Sequence, residues 1–283
     1  MPSLNSLKNR ISVVSNTQKI TNAMELVSTS KLRRLRNEYT RIQAYKETLE
    51  DTFNELISHV SSRQFYEIFP KNEGIDGSVY IVITSDLGLC GSYNSNIYKM
   101  LNENLKPQDK IVVIGTKGFS MINSATIKAQ MIKYYINNGD KITYKICNDI
   151  TKIAFELYSK KLVSQVKLIY TKFINNINQE PRLKTLFPLD FSIQKQHNAQ
   201  IIEFEPSAEE VLSDSVPMYV ASMIYALSGE SKISEMASRR NAMENATNNA
   251  EDLIKELRLE FNRQRQGKIT QEITEIVAGA DAT

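Results

Sequence analysis

Glycine pairs that follow short apolar runs are the residues here with the most chemical potential, because a glycine-rich turn can cradle a phosphate. Two such places occur. Ser85-Asp-Leu-Gly-Leu-Cys-Gly91 follows Val79–Thr84, and Gly115-Thr-Lys-Gly118 follows Lys110–Ile114. Neither has the Gly-x-Gly-x-x-Gly spacing of a dinucleotide fingerprint, and Gly-x-x-x-x-Gly-Lys-Ser/Thr occurs nowhere in the 283 residues. Tight-turn geometry is the simpler reading of both. Cys90 could act as a nucleophile only beside a base, and the two histidines, His59 and His197, lie far from it along the chain. Cys90 and Cys147 are too few for a disulfide framework or a four-cysteine zinc site, which suits a reducing compartment. The acidic pairs Glu209/Glu210 and Glu251/Asp252 share a helical stretch and read as its solvated face. The residues therefore predict no catalytic, cofactor or metal site. One basic run stands out, Lys31-Leu-Arg-Arg-Leu-Arg36. It reads either as the charged face of a helix or as a docking surface for acidic loops, where fixed charge sets orientation and rate more than affinity.

The elements that would carry these residues are unusual in length and charge. Residues 1–46 have a net charge of +7 and residues 203–283 a net charge of −7, so the overall +3 is a near-cancellation. Complementary helical termini predict one antiparallel rod with the middle of the chain as a side domain. That plan suits a mechanical or scaffolding part more than an enzyme with a central pocket. Nucleic-acid binding needs a basic face that stays unpaired, and the acidic C-terminal segment can neutralise much of this one. No apolar run approaches the ~20 residues of a membrane span, and the N-terminus lacks the apolar core of a signal peptide, so a soluble protein is expected.

The first helix is expected over 1–60, capped by Ser3 and free of internal Pro or Gly beyond it. Leu4, Leu7, Ile11 and Val14, then Leu32, Leu35, Tyr39, Ile42, Leu49, Phe53, Leu56 and Val60, alternate by threes and fours as in a coiled-coil seam. Between Gln18 and Ser28 this frame meets Gln18, Thr21, Glu25 and Ser28, while Ile20, Met24 and Val27 follow a shifted frame. That predicts a stutter which relaxes the supercoil, or a surface facing something other than the partner helix.

The second rod helix is expected over 206–283. Ser207-Ala-Glu-Glu210 reads as a capping box after Pro206, Pro217 as a kink or fresh start, and Gly279 as a stop. Ala242, Met243, Ala246, Ala250, Leu253, Leu257, Phe261, Ile269, Ile273 and Ile276 form its apolar face, with the spacing lengthening to fours after Leu257. Gly229 and Gly267 sit inside it, each costing about 1 kcal/mol relative to Ala. Between the rod helices, 61–78 reads as a linker. Residues 79–195 read as an α/β side domain, Rossmann-like with a largely parallel sheet. Its strands are 79–84, 110–115 and 166–171, its helices cover 97–105 and 142–162, and 175–188 leads through a polar turn to an edge strand.

Three segments carry a family resemblance. Asn16-Thr-Gln-Lys-Ile-Thr21 with Ala23-Met-Glu25 and Ser30-Lys-Leu-Arg-Arg34 resembles the N-terminal helix of the gamma subunit of F-type ATP synthases. Asn262-Arg-Gln-Arg-Gln266 with Ile269-Thr-Gln-Glu-Ile-Thr-Glu-Ile-Val277 resembles its C-terminal helix, and Ser85–Gly91 its side-domain motif. The resemblance implies a non-catalytic central shaft, one copy per complex, inside a ring of alpha and beta subunits whose beta subunits hold the catalytic sites. It also implies an epsilon subunit and a membrane c-ring as partners, and a peripheral place on the cytoplasmic face of the cell membrane. On this reading the residues expected against the ring are Met24, Lys31, Arg33, Arg34, Arg239, Gln271 and Thr274, with Ile273 and Ile276 at an apolar tip. Some positions depart from the family pattern: Arg239-Arg240-Asn241 before Ala242-Met243, Lys232, and Leu87. They raise two rivals, a shaft serving a divergent ATPase that drives another machine, and a nucleotide-binding enzyme using the side domain.

Overall fold

The computed structural model describes residues 3–124, 129–139, 141–189, 205 and 207–281. The order is α1 (Leu4–Ser58), α2 (Ser62–Ile68), β1 (Ser78–Ile83), α3 (Tyr93–Asn104), β2 (Lys110–Ile114) and α4 (Thr116–Ser124). There follow β3 (Gln130–Tyr135), α5 (Tyr144–Ser159), β4 (Gln165–Phe173), β5 (Gln179–Phe187) and α6 (Ala208–Asp281). Two compact units result, Met1–Ser30 with Arg239–Thr283, and Lys31–Ser238. The end expected for the side domain at 195, the Pro206 start of the last helix, and His197 lie outside the described residues.

Lys31–Ser238 is built on a five-stranded sheet in the order β3-β2-β1-β4-β5. The first four strands are mutually parallel and β5 returns antiparallel to β4. β1 is buried at all six positions, as a central strand covered on both faces must be. One face packs Tyr80, Val82, Ile111, Val113 and Ile169 against Ile97 and Leu101 of α3 and Ile122 of α4. The other packs Ile81, Ile83, Val112 and Leu168 against Ile150 and Ala154 of α5, and against Val216, Val220 and Ile224 of α6. Phe53, Ile57 and Val60 join the same core. The last turns of α1 and the first half of α6 therefore belong with the sheet.

Within this unit α1 and α6 run antiparallel: Phe53 stacks on Tyr219 at 3.9 Å, and Leu32 and Leu35 cluster with Ile233, Met236 and Ala237. α6 is continuous through Pro217, so of the kink or fresh start expected there, the fresh start does not occur. Ser3 and Ser207 do cap their helices, Oγ accepting from Ser6 N and Glu210 N, each at 3.2 Å. Gly279 does not stop α6, which runs on to Asp281. Segment 61–78 is not purely a connection either. It holds α2, started by a capping box between Ser61 and Gln64, and Phe65 is wholly buried. β3 and α4 were not legible in advance. β3 is a partly exposed strand of mixed pattern with a register shift, and α4 is a nine-residue helix that begins inside the second glycine pair.

Gly229 packs against Ile42. A Cβ there would lie 2.6 Å from Ile42 Cδ1. That methyl is the free end of a half-buried side chain and can rotate aside, so its displacement is offset by the ~1 kcal/mol of helix propensity that alanine brings. Gly229→Ala should therefore leave the denaturant midpoint of the full chain within about 1 kcal/mol of wild type in stability.

Candidate functional site

The unit Met1–Ser30 with Arg239–Thr283 is a two-helix seam. Along α1 the inward positions are Leu4, Leu7, Ile11, Val14, Gln18, Thr21, Glu25 and Ser28, an unbroken alternation of threes and fours. The expected stutter is absent. The heptad frame continues through polar residues, and Thr247 Oγ1 meets Thr21 Oγ1 at 2.8 Å across the seam. The apolar residues of this stretch turn outward instead: Val13, Ile20, Leu26 and Val27 are between 56% and 63% exposed. Met24 is half-buried beside them. On α6 the inward frame is Met243, Thr247, Ala250, Ile254, Leu257, Phe261 and Gln264, and it stops there. From Arg265 to Val277 every residue is exposed, with Ile269, Ile273 and Ile276 at 48%, 56% and 72%. The seam therefore continues past Leu257 only as far as Gln264, and from Arg265 to Val277 no described residue covers the helix.

The remaining expected interface residues fall in different settings. Gln271 Nε2 donates to Glu275 Oε1 at 2.8 Å, and Thr274 Oγ1 donates to the Thr270 carbonyl at 2.8 Å, so both polar groups are engaged along their own helix. Lys31, in the second unit, is half-buried, and Arg33 and Arg34 are exposed on a helix face between the buried Leu32 and Leu35. Arg239 is only 5% exposed. Its side chain is committed mainly to the packing of the chain itself.

The sheet offers a second place to look. In a doubly wound sheet a ligand binds outside the carboxyl ends of the strands where the order reverses, here between β1 and β4. That crevice is filled by α6. Ser231 Oγ accepts from Thr171 N at 3.1 Å, Ser234 Oγ donates to the Thr171 carbonyl at 3.0 Å, and the Tyr93 hydroxyl meets Ser231 Oγ at 2.8 Å. Ser238 Oγ donates to the Cys90 carbonyl at 2.7 Å. Ser231, Ser234 and Ser238, three and four residues apart, are the sequence signal for this face, while Ser228 Oγ donates to the Ile224 carbonyl at 2.6 Å within α6.

The first glycine loop is equally self-contained. Asp86 Oδ1 accepts from Thr116 N, Thr116 Oγ1 and Asn137 N at 2.9, 2.8 and 3.1 Å, tying together the loops after β1, β2 and β3. Burial pushes this carboxyl up, but those bonds and Lys232 together hold it below the ordinary range. Cys147 is buried in the core and desolvation pushes its thiol up to about 12, so it stays protonated. The amides of Thr116, Lys117 and Gly118, at the start of α4, are bonded to Asp86, the Ser85 carbonyl and Thr84 Oγ1.

What remains is a helical pair whose end carries apolar residues with no cover. The family model described as ATP synthase matches residues 3–283. An ATP synthase gamma chain of Mycoplasmopsis synoviae (strain 53) is 51% identical over 288 residues, covering all of both chains. The chain belongs to the ATP synthase gamma chain family. A second gamma chain, from Mycoplasmopsis pulmonis (strain UAB CTIP), is 43% identical over 283 residues and 99% of each chain. The fold also matches a chain in the mitochondrial ATP synthase of Euglena gracilis, solved as an OSCP/F1/c-ring assembly, with a TM-score of 0.72. The match has 17% identity and covers 99% of this chain and 94% of that one. Family membership accounts for the three resembling segments together, and it gives the exposed tip of α6 a context. Among the described residues no helix is long and apolar enough to cross a membrane.

Proposed function

We propose that this gamma chain is the non-catalytic rotating shaft of an F-type ATPase, peripheral to the cytoplasmic face of the cell membrane. Catalysis belongs to the beta subunits of the surrounding alpha/beta ring, and the epsilon subunit and the membrane c-ring complete the rotor. The observation that carries this is the last stretch of α6, where Ile269, Ile273, Ile276 and Val277 stay exposed on a helix that has left its partner behind. Four large aliphatic side chains in about three turns need a sleeve, since each side chain fully buried is worth about 1.5–3 kcal/mol. The coupling is linkage. One asymmetric shaft presents a different surface to each of three chemically equal sites, so each has a different nucleotide affinity. Rotation exchanges those affinities, and hydrolysis drives the rotation backwards.

The surface that does this includes Met24 with its outward apolar neighbours, the basic face of Lys31, Arg33 and Arg34, and the tip with Gln271, Ile273, Thr274 and Ile276. Arg239 acts from within by holding its neighbours, as its burial requires. Amide exchange on the full chain, alone and assembled with alpha and beta subunits, tests the assignment. Residues 265–277 should exchange fast alone and be strongly protected in the ring. Single alanine changes at Lys31, Arg33 or Gln271 should weaken coupling modestly, more at low salt for the two cations, and leave hydrolysis running. Equal exchange with and without the ring, or a point change that abolishes hydrolysis in an intact complex, would overturn the proposal.

A further inference from the structure

Glu230 of α6 is 1% exposed, and neither of its carboxylate oxygens has a hydrogen-bond partner. An ionised carboxylate in that position loses its hydration and recovers little of it, whereas the neutral acid forfeits far less. The groups facing it come from two elements. α1 presents Tyr39 and Lys46, and β4 presents Tyr170, Lys172 and the Phe173 N–H. None of them meets hydrogen-bond geometry with the carboxyl, although the Phe173 N–H and the Tyr39 O–H lie near enough to favour its charged form. The Tyr39 hydroxyl accepts from Gln43 Nε2 at 2.6 Å, which leaves its own proton free to turn toward Glu230, and its ring meets Phe173 edge-on at 5.6 Å. Lys172 is exposed and Lys46 half-buried, so both ammonium groups stay in reach of water. One turn further along α6, Ile233, Met236 and Ala237 close an apolar cluster with Leu32 and Leu35. Burial pushes the Glu230 carboxyl up, and Lys46, the Phe173 N–H, Lys172 and the Tyr39 hydroxyl oppose it only in part.

We propose that Glu230 carries a proton in the folded chain, and that this proton is a condition for α6 to seat against α1 and β4. When the O–H bond breaks, the proton leaves to solvent and the carboxylate must be hydrated. It can reach water only if α6 shifts away from Tyr39 and Phe173. The adjoining residues would move with it, and these are the serines that bond Thr171 on both sides and close the switch-point crevice. Glu230 is thereby a proton-sensitive latch on the part of α6 that is locked to the sheet.

The sign follows from the raised affinity for the proton. Stability from this group is fully present below the ordinary carboxyl value of 4.5 and is lost as pH rises through the folded value. Asp86 and Glu156 are held low, so their contributions are lost only on the acid side and add no slope above about pH 5. Thermal unfolding of the full chain and of Glu230→Gln, from about pH 5 to about pH 8, reads the latch. The wild-type midpoint should fall across this window relative to the variant, with Glu230→Gln the more stable at the alkaline end. Amides of 228–238 should open more readily with rising pH in the wild type only. Parallel curves, or a variant less stable at every pH, would overturn the proposal. If Glu230→Gln does not fold, Glu230→Leu, which also removes the titrating group, takes its place over the same window. A midpoint difference from wild type that changes with pH supports the proposal, and a constant difference refutes it.

Discussion

Phe187→Ala is expected to lower the unfolding free energy of the full chain by about 3–5 kcal/mol. Phe187 ends β5, pairs with Val166 and is wholly buried. Its ring lies 4.8 Å from Tyr158, 5.1 Å from Phe155, 5.5 Å from Phe69 and 6.3 Å from Phe65. Those partners come from α5, from α2 and from the turn after α2, so one ring joins the sheet edge to two helices. Its removal costs the transfer energy of the ring and leaves a cavity whose walls are themselves stiff aromatics. The check is a denaturant titration with unchanged slope and a lower midpoint. Phe187→Leu, which keeps most of the volume, should lose clearly less. A loss below about 1 kcal/mol for Phe187→Ala would mean that the cluster collapses freely and is not the anchor of α2.

Gly115→Ala should cost a comparable amount, about 3 kcal/mol or more, through the backbone. Gly115 has φ +108, where an L side chain is strained, and a Cβ would stand 2.4 Å from the Thr84 carbonyl oxygen and 2.7 Å from its carbon. Both obstacles are main chain at the end of β1 and cannot rotate aside. Relief would require β1 and β2 to part where Asp86 gathers the three loops. Gly74 and Gly139 are the controls. They have φ +79 and +68 but nothing within 4 Å of a Cβ, so alanine there should cost only about 1–2 kcal/mol. Thermal midpoints of the three variants separate close approach from handedness. If all three fall together, the crowding at Thr84 contributes nothing.

Much of the scaffold was legible because periodicity is local. Leu7, Leu32, Leu35, Phe53 and Val60 lie buried where a heptad frame placed them, and Val79–Ile83 forms the central strand its unbroken apolar run implied. Ile269, Ile273 and Ile276 also continue an apolar spacing, but periodicity put them on the face of the rod, and they are exposed. The absence of a phosphate loop is also plain from residue order alone.

What the tertiary structure alone decided depends on chain segments far apart in sequence. The frame between Gln18 and Ser28 stays in register because Thr247, more than 200 residues away, supplies a hydroxyl partner to Thr21, so polar residues face in and Ile20 and Val27 face out. α6 passes through Pro217 because Leu212, Val216, Val220 and Ile224 are buried in the core on either side of it, with Tyr219 on Phe53, which offsets a local cost of about 3 kcal/mol. Arg239 is buried although no local pattern separates it from exposed residues on the same helix, and it is long-range bonding to Thr171 that turns Ser231 and Ser234 into the closure of the carboxyl-end crevice. A residue type states what a side chain can bond to. Only the packed fold states whether water, a partner or the chain itself takes that bond.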